Sequence, residues 1–171
     1  MTLSCTKKVL DLLKKHHSIE TEKSTPSFHN WYVDVIMLER KKHFLFTHAE
    51  SLFSFFIYAG TKQQHSNIQA LFTEKLKELI VREVGTAEDY LKEAIPENAV
   101  FRFEKTNSRS VLGTMNEYKK QIYCHIEYEG DLEKKHDLIH HYMNKYIVKK
   151  EGEYIRPREL FKEQLEEHLK N

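Results

Sequence analysis

Trp31-Tyr32-Val33-Asp34-Val35-Ile36-Met37-Leu38 is the stretch on which the fold of this chain turns. Along an extended backbone, successive side chains point to opposite faces. Trp31, Val33, Val35 and Met37 therefore share one face, and Tyr32, Asp34, Ile36 and Leu38 share the other. Both faces are largely apolar, which predicts a central strand covered on both sides. The charged run Arg40-Lys41-Lys42 reads as a turn, and His43 to Thr47, with Phe44, Leu45 and Phe46, returns as a second strand. Leu52 to Tyr58 supplies a third and completes a meander. No Asn-Gly or Asp-Gly pair marks the turn, so its type and the register stay open.

Outward from the meander the pattern changes. Upstream, Leu3 to Cys5 reads as a short strand and Thr6 as the N-cap of a helix whose apolar stripe is Val9, Leu10, Leu12 and Leu13. Ser18 to Asn30 has no periodicity and reads as a loop. Downstream of Gln63, Ile68, Leu71, Phe72, Leu76, Leu79, Ile80 and Val84 recur at three- and four-residue spacing, the mark of a long amphipathic helix that Gly85 stops. Thr86 opens a short helix through Ala94, ended by Pro96, and Val100 to Phe103 reads as a short strand. Val111, Met115, Tyr118, Ile122 and Ile126 mark a helix to about Glu129, and Leu132, Ile139, Tyr142, Met143 and Tyr146 mark another. Pro157 starts a terminal helix carrying Leu160, Phe161, Leu165 and Leu169. Strands cluster early and helices follow, which predicts an α+β fold: a small, mainly antiparallel sheet from the N-terminal third, covered by several helices. Residues 1–171 are expected to form one domain, with 131–171 a helical C-terminal extension packed on it.

Composition narrows the function classes. The 171 residues are 40% hydrophobic and 31% charged, a globular balance. Lys and Arg number 27 against 26 Asp and Glu, a formal net charge of +1. Dedicated nucleic-acid binders carry a basic excess, so any such binding here must come from a local patch. Two isolated cysteines, Cys5 and Cys124, fit a reducing compartment better than a disulfide framework. The N-terminus lacks the apolar run of a leader, and the longest apolar stretch, Phe53 to Ala59, is interrupted by Ser54 and too short to span a bilayer. The expected location is cytoplasmic.

The segment richest in chemistry is Lys105-Thr106-Asn107-Ser108-Arg109-Ser110-Val111-Leu112-Gly113-Thr114-Met115-Asn116, which passes from a predicted strand into a predicted helix. Helix starts expose unpaired N–H groups, Asn107, Ser108 and Ser110 add side-chain donors, and Arg109 can grip a phosphate or carboxylate through two parallel hydrogen bonds. The plainer reading makes Asn or Ser a cap and Arg109 the partner of a structural carboxylate. The segment is neither a Walker loop nor a GxGxxG turn. Cys5, beside Lys7 and Lys8, has the neighbours that favour a thiolate, with His125 or His48 as partner, but buried cysteines are commoner. His136 and His140, four apart with Asp137 and His141 nearby, could face one ion; a surface histidine pair is the simpler reading, and no metal or cofactor is expected. Arg40-Lys41-Lys42-His43, with Trp31 or Tyr32 for base stacking, could touch nucleic acid, although a charged turn also protects a sheet edge.

Cys5-Thr6-Lys7-Lys8, Trp31 followed by Glu39-Arg40-Lys41-Lys42, Leu52-Phe53-Ser54-Phe55 and the stretch Thr106 to Asn116 together resemble an uncharacterised bacterial family of small proteins, classed as a domain of unknown function. The resemblance spans roughly residues 1 to 130 and implies no activity. The residues themselves support a ligand-binding or regulatory module holding a phosphate or nucleotide through Asn107, Ser108, Arg109 and Ser110. Lys7 and Lys8 add charge if the two helix starts converge on one sheet edge. A nuclease or phosphotransfer enzyme and a protein-interaction or mobile-element accessory module are the alternatives. A small anion is the expected partner, nucleic acid a less favoured one, a membrane none, and a second copy of the chain a candidate for the terminal helix.

Overall fold

The computed structural model describes residues 1–25, 27–85, 99–129 and 132–170. In chain order the elements are β1 (Thr2–Cys5), α1 (Lys7–Leu13), β2 (Asn30–Leu38), β3 (Lys41–His48), β4 (Ser54–Tyr58), α2 (Lys62–Ser66), α3 (Ile68–Leu79), a π-helical turn (Ile80–Val84), β5 (Arg102–Lys105), α4 (Arg109–Glu129), α5 (Leu132–Lys145), β6 (Val148–Lys150), β7 (Glu153–Ile155) and α6 (Pro157–His168). The class is α+β, as the sequence pattern predicts. The expected helix from Thr86 to Ala94 lies outside the described residues.

Five strands form one sheet in the order β4-β3-β2-β1-β5. The meander β2-β3-β4 is antiparallel and supplies the longer pairings; β1 pairs parallel with both β2 and β5. The alternation along β2 sorts its side chains as the sequence pattern implies. Trp31 and Val33 enter one core with Val9, Leu13, Phe46, Phe55, Phe72 and Phe161. Tyr32, Ile36 and Leu38 enter a second with Val111, Met115, Tyr118, Ile122, Ile139 and Met143. Helices α1, α3 and α6 thus cover one face, and α4 and α5 cover the other. Trp31 is the hub of the first core, with ring centroids 5.3 Å from Phe72, 5.7 Å from Phe55 and 5.9 Å from Phe161. Full burial of one such side chain is worth roughly 1.5–3 kcal/mol.

Local departures from the expected pattern have physical causes. The long helix after Gln63 is broken at Asn67, and α2 is opened by a capping box in which Thr61 and Gln64 satisfy each other's backbone N–H groups. The far end of that long helix widens into the π-turn, the Gly85 N–H donating to the Ile80 carbonyl, and stops at Gly85, whose φ of 73° is left-handed. The strand expected at Val100 to Phe103 begins two residues later, at Arg102, because its register is set by pairing with β1. The charged stretch after Lys149 is a hairpin, β6–β7, turning through Glu151 and Gly152 at positive φ.

The β4 edge is closed by side chains. Asn144 of α5 accepts from the Ser54 N–H at 2.7 Å and donates to the Ser54 carbonyl at 2.7 Å. One turn earlier, His140 Nε2 accepts from the Phe56 N–H at 3.1 Å. Backbone groups on a sheet edge are a template for intermolecular pairing, and here a helix occupies them.

The β2–β3 connection has a two-residue loop, Glu39 and Arg40, between the paired Leu38 and Lys41. Both loop residues have positive φ, 48° and 62°, the signature of a type I′ turn built without glycine or asparagine. A left-handed L-residue costs about 1–2 kcal/mol that glycine avoids. Arg40→Gly is expected to raise unfolding stability by about 1 kcal/mol, read as a higher urea midpoint at unchanged slope.

Candidate functional site

The carboxyl ends of the parallel strands position the charged residues. Cys5 and Lys105 are register partners, and the Thr106 N–H donates to the Cys5 carbonyl at 3.2 Å. The chain leaves β1 into α1 on one face and leaves β5 into α4 on the other, so both helix starts lie at one end of the sheet. In open sheets, ligands lie outside the carboxyl ends of strands where the connections part to opposite faces.

β1 is four residues long and β2 nine, so β1 ends opposite Val33 while β2 runs on through Leu38. The uncovered length of β2 is the floor of a cleft of about 470 Å³. Val35 and Met37 form that floor, Lys8 and Leu12 come from α1, Lys119 and Tyr123 from α4, and Lys42 from the β3 position opposite Met37. Each helix contributes a lysine and an apolar residue four apart, which places the pair on one face. Lys8 and Lys42 have no acidic partner among the described residues.

Asp34 bolts this region together. Its Oδ1 accepts from the Thr6 hydroxyl at 2.7 Å and from the Val35 N–H at 2.8 Å, and its Oδ2 pairs with the Lys119 ammonium. Thr6 was expected to cap α1; its hydroxyl makes no cap bond and is committed to Asp34 instead. One carboxylate therefore joins the start of α1, the centre of β2 and the middle of α4.

The sequence-predicted residues separate. Asn107, Ser108 and Ser110 line a second cavity, of about 180 Å³, together with Tyr32, Glu50, Glu104 and Lys150. There the Asn107 side-chain Oδ1 accepts from the Tyr32 hydroxyl, and the Ser108 hydroxyl caps α4 by accepting from the Val111 N–H at 3.3 Å. Glu104 is buried, accepting from the Ser4 hydroxyl and the Ser24 N–H, both at 2.8 Å. Arg109 and Lys7 are exposed and line neither cavity, and Lys8 lines the first. Lys42, Lys119 and Tyr123 were not anticipated as a group; only the i,i+4 spacing of Lys119 and Tyr123 hinted at a shared face.

Other candidates resolve into structure. Cys5 is fully buried, and desolvation, then the nearby Glu104, push its thiol far up from its ordinary range, so it is no thiolate nucleophile. Trp31 and Tyr32 are buried and cannot stack on bases. His136 and His140 are not a surface pair: His140 is fully buried, and both rings pack against Phe56. His136, Asp137 and His140 hold ligand atoms within 4.8 Å of one another. Accepting from the Phe56 N–H leaves the His140 proton on Nδ1, and Arg82 holds Asp137 at 2.6 Å with Lys75 beside it at 3.7 Å. An ion there would have to break the Phe56 bond and displace two cations.

The buried histidines set the acid limit of the fold. Burial pushes His48 and His136 down to about 4, and burial reinforced by His136 holds His140 well below its ordinary value of 6.5. His48 is neutral, donating from Nε2 to the Phe28 carbonyl at 2.7 Å while Nδ1 accepts from the Ser51 N–H at 3.2 Å. The unfolded chain binds these protons first, so their contribution is full above about pH 6.5 and is lost as pH falls towards about 4. Denaturation midpoints measured across that window should fall steadily with pH. In the Asp34 cluster, Lys119→Met should cost on the order of 3 kcal/mol by leaving a mostly buried carboxylate without its cation, as a urea titration would show.

Among the described residues, no helix is long and apolar enough to cross a membrane. None of the curated proteins matches the chain. The model of a family described as domain of unknown function DUF6933 matches residues 2–160, past the stretch over which the sequence motifs suggested a family, and the chain belongs to that family.

Proposed function

We propose that this protein is a ligand-binding module that holds a phosphorylated small molecule, such as a nucleotide, in the cleft over β2. The observation that carries the reading is two lysines without an acidic partner among the described residues, Lys8 and Lys42, set with the Asp34-paired Lys119 around an apolar lining of Leu12, Val35 and Met37. Lysines bind phosphate as point charges, and a cleft of about 470 Å³ is within the range of small-molecule sites. Tyr123, partly exposed on the wall, offers a ring face to a base.

Charge favours this cleft over the α4 start expected from the sequence. Among the described residues, the Asn107–Ser110 cavity sets Glu50, the buried Glu104 and Glu151 against one lysine, Lys150, whereas the lining of the β2 cleft holds three lysines and no carboxylate, Asp34 pairing with Lys119 from outside that lining. A nuclease or phosphotransferase would need a general base at the ligand, and that lining offers only lysines and a tyrosine, so binding is favoured over chemistry. Two free cysteines accord with a reducing bacterial cytoplasm.

Thermal melting against phosphates and nucleotides tests the reading. A ligand at 100 times its Kd adds about 2.7 kcal/mol to stability. Stabilisation should appear in the wild type and in Arg109→Ala and vanish in Lys8→Glu and Lys42→Glu. Loss in Arg109→Ala alone would return the site to the α4 start, and no stabilisation by any anion would end the proposal.

A further inference from the structure

A groove of about 930 Å³ runs between α4, the end of α5 and the start of α6. Three rings stack in nearly parallel planes, and two of them, Tyr142 and Tyr146, line this groove. His125 of α4 lies on Tyr142 at 5.3 Å and 5°, and Tyr142 on Tyr146 at 5.8 Å and 15°. The row ends at Tyr146, which is 47% exposed in the groove wall. Around that open ring stand Lys145, Arg156 and Arg158. Glu159 is the carboxylate in this lining; it pairs with Arg156 at 3.3 Å, leaving Lys145 and Arg158 without an acidic partner among the described residues. On the adjoining hairpin, Lys149 lies over the ring of Tyr154 at 5.9 Å, and that ring is 75% exposed.

We propose that this face binds single-stranded nucleic acid, a base stacking on Tyr146 and the backbone phosphates meeting Lys145, Arg156 and Arg158. A ring stack open at one end is a platform for a flat, polarisable partner, and the cations at its rim, Lys145 and Arg158 without an acidic partner among the described residues and Arg156 beside Glu159, match a phosphate chain. An acidic peptide would satisfy the cations and leave the platform unused. A duplex keeps its base faces inside its own stack and cannot offer one to Tyr146. With the whole chain at a net charge of +1, attraction must come from a local patch such as this one, and affinity falls with salt.

Fluorescence anisotropy of labelled single strands of about 12 nucleotides, DNA and RNA, at about 50 mM salt tests the proposal. The wild type should bind single strands more tightly than a duplex of equal length. Tyr146→Ala and Arg158→Ala should each weaken binding about tenfold at an unchanged Tm, with Tyr146→Phe close to wild type. Lys8→Glu should leave oligonucleotide binding intact, which separates this face from the β2 cleft. Absence of binding, equal affinity for duplex, or full affinity in Tyr146→Ala would overturn it.

Discussion

Four buried residues, Thr2 to Cys5, are the seam on which the molecule depends. β1 is hydrogen-bonded on both sides, to β2 and to β5, so it joins the N-terminal meander to a strand a hundred residues away. That parallel pairing sets the chain directions at the sheet's end and brings the starts of α1 and α4 together. Its shortness matters as much as its position. Because β1 stops opposite Val33, the last residues of β2 have a helix to either side and no neighbouring strand along that edge, and the lysine-lined cleft occupies the space.

Asp34 shows how a polar group is used inside such a frame. A carboxylate on a largely buried strand is costly unless its lone pairs are filled, and here a hydroxyl, a backbone N–H and an ammonium fill them. Their donors come from three separate elements, so the carboxylate fixes α4 against β2 while presenting Lys119 at the cleft wall. The β4 edge follows the same logic with neutral groups. Asn144 and His140 satisfy backbone groups that a sixth strand would otherwise take, and that bonding requires His140 to stay unprotonated at Nε2.

The two candidate surfaces differ in kind. The β2 cleft is the smaller, with an apolar floor and lysines from three elements, which suits a small anion. The groove beside Tyr146 has about twice the volume and is lined by tyrosines, arginines and a lysine, which suits a longer, flexible polyanion. Both use α4, but Lys8 and Lys42 line only the cleft and Tyr146 and Arg158 only the groove, so each can be altered separately.

Much of the fold was legible in local pattern. The two-faced apolar alternation of Trp31 to Leu38 announced a central strand, the spacing of Val111, Met115, Tyr118 and Ile122 announced α4, and Gly85 and Pro157 marked helix boundaries, because periodicity and backbone preference act over a few residues. The polar start of α4 was equally visible, but its environment was not: nothing near Ser108 in sequence reveals that Glu104 is buried beside it, held by Ser4 and Ser24. Nor does Lys8 announce Lys42 and Lys119 as neighbours, or Tyr142 a stack with His125. By itself the sequence determined most of the strands and helices and which faces are apolar, though not the β6–β7 hairpin or the break at Asn67. Only the tertiary structure decided which charges share a cleft, because that follows from β1 pairing with strands distant in the chain, and such register is set by packing across the whole sheet.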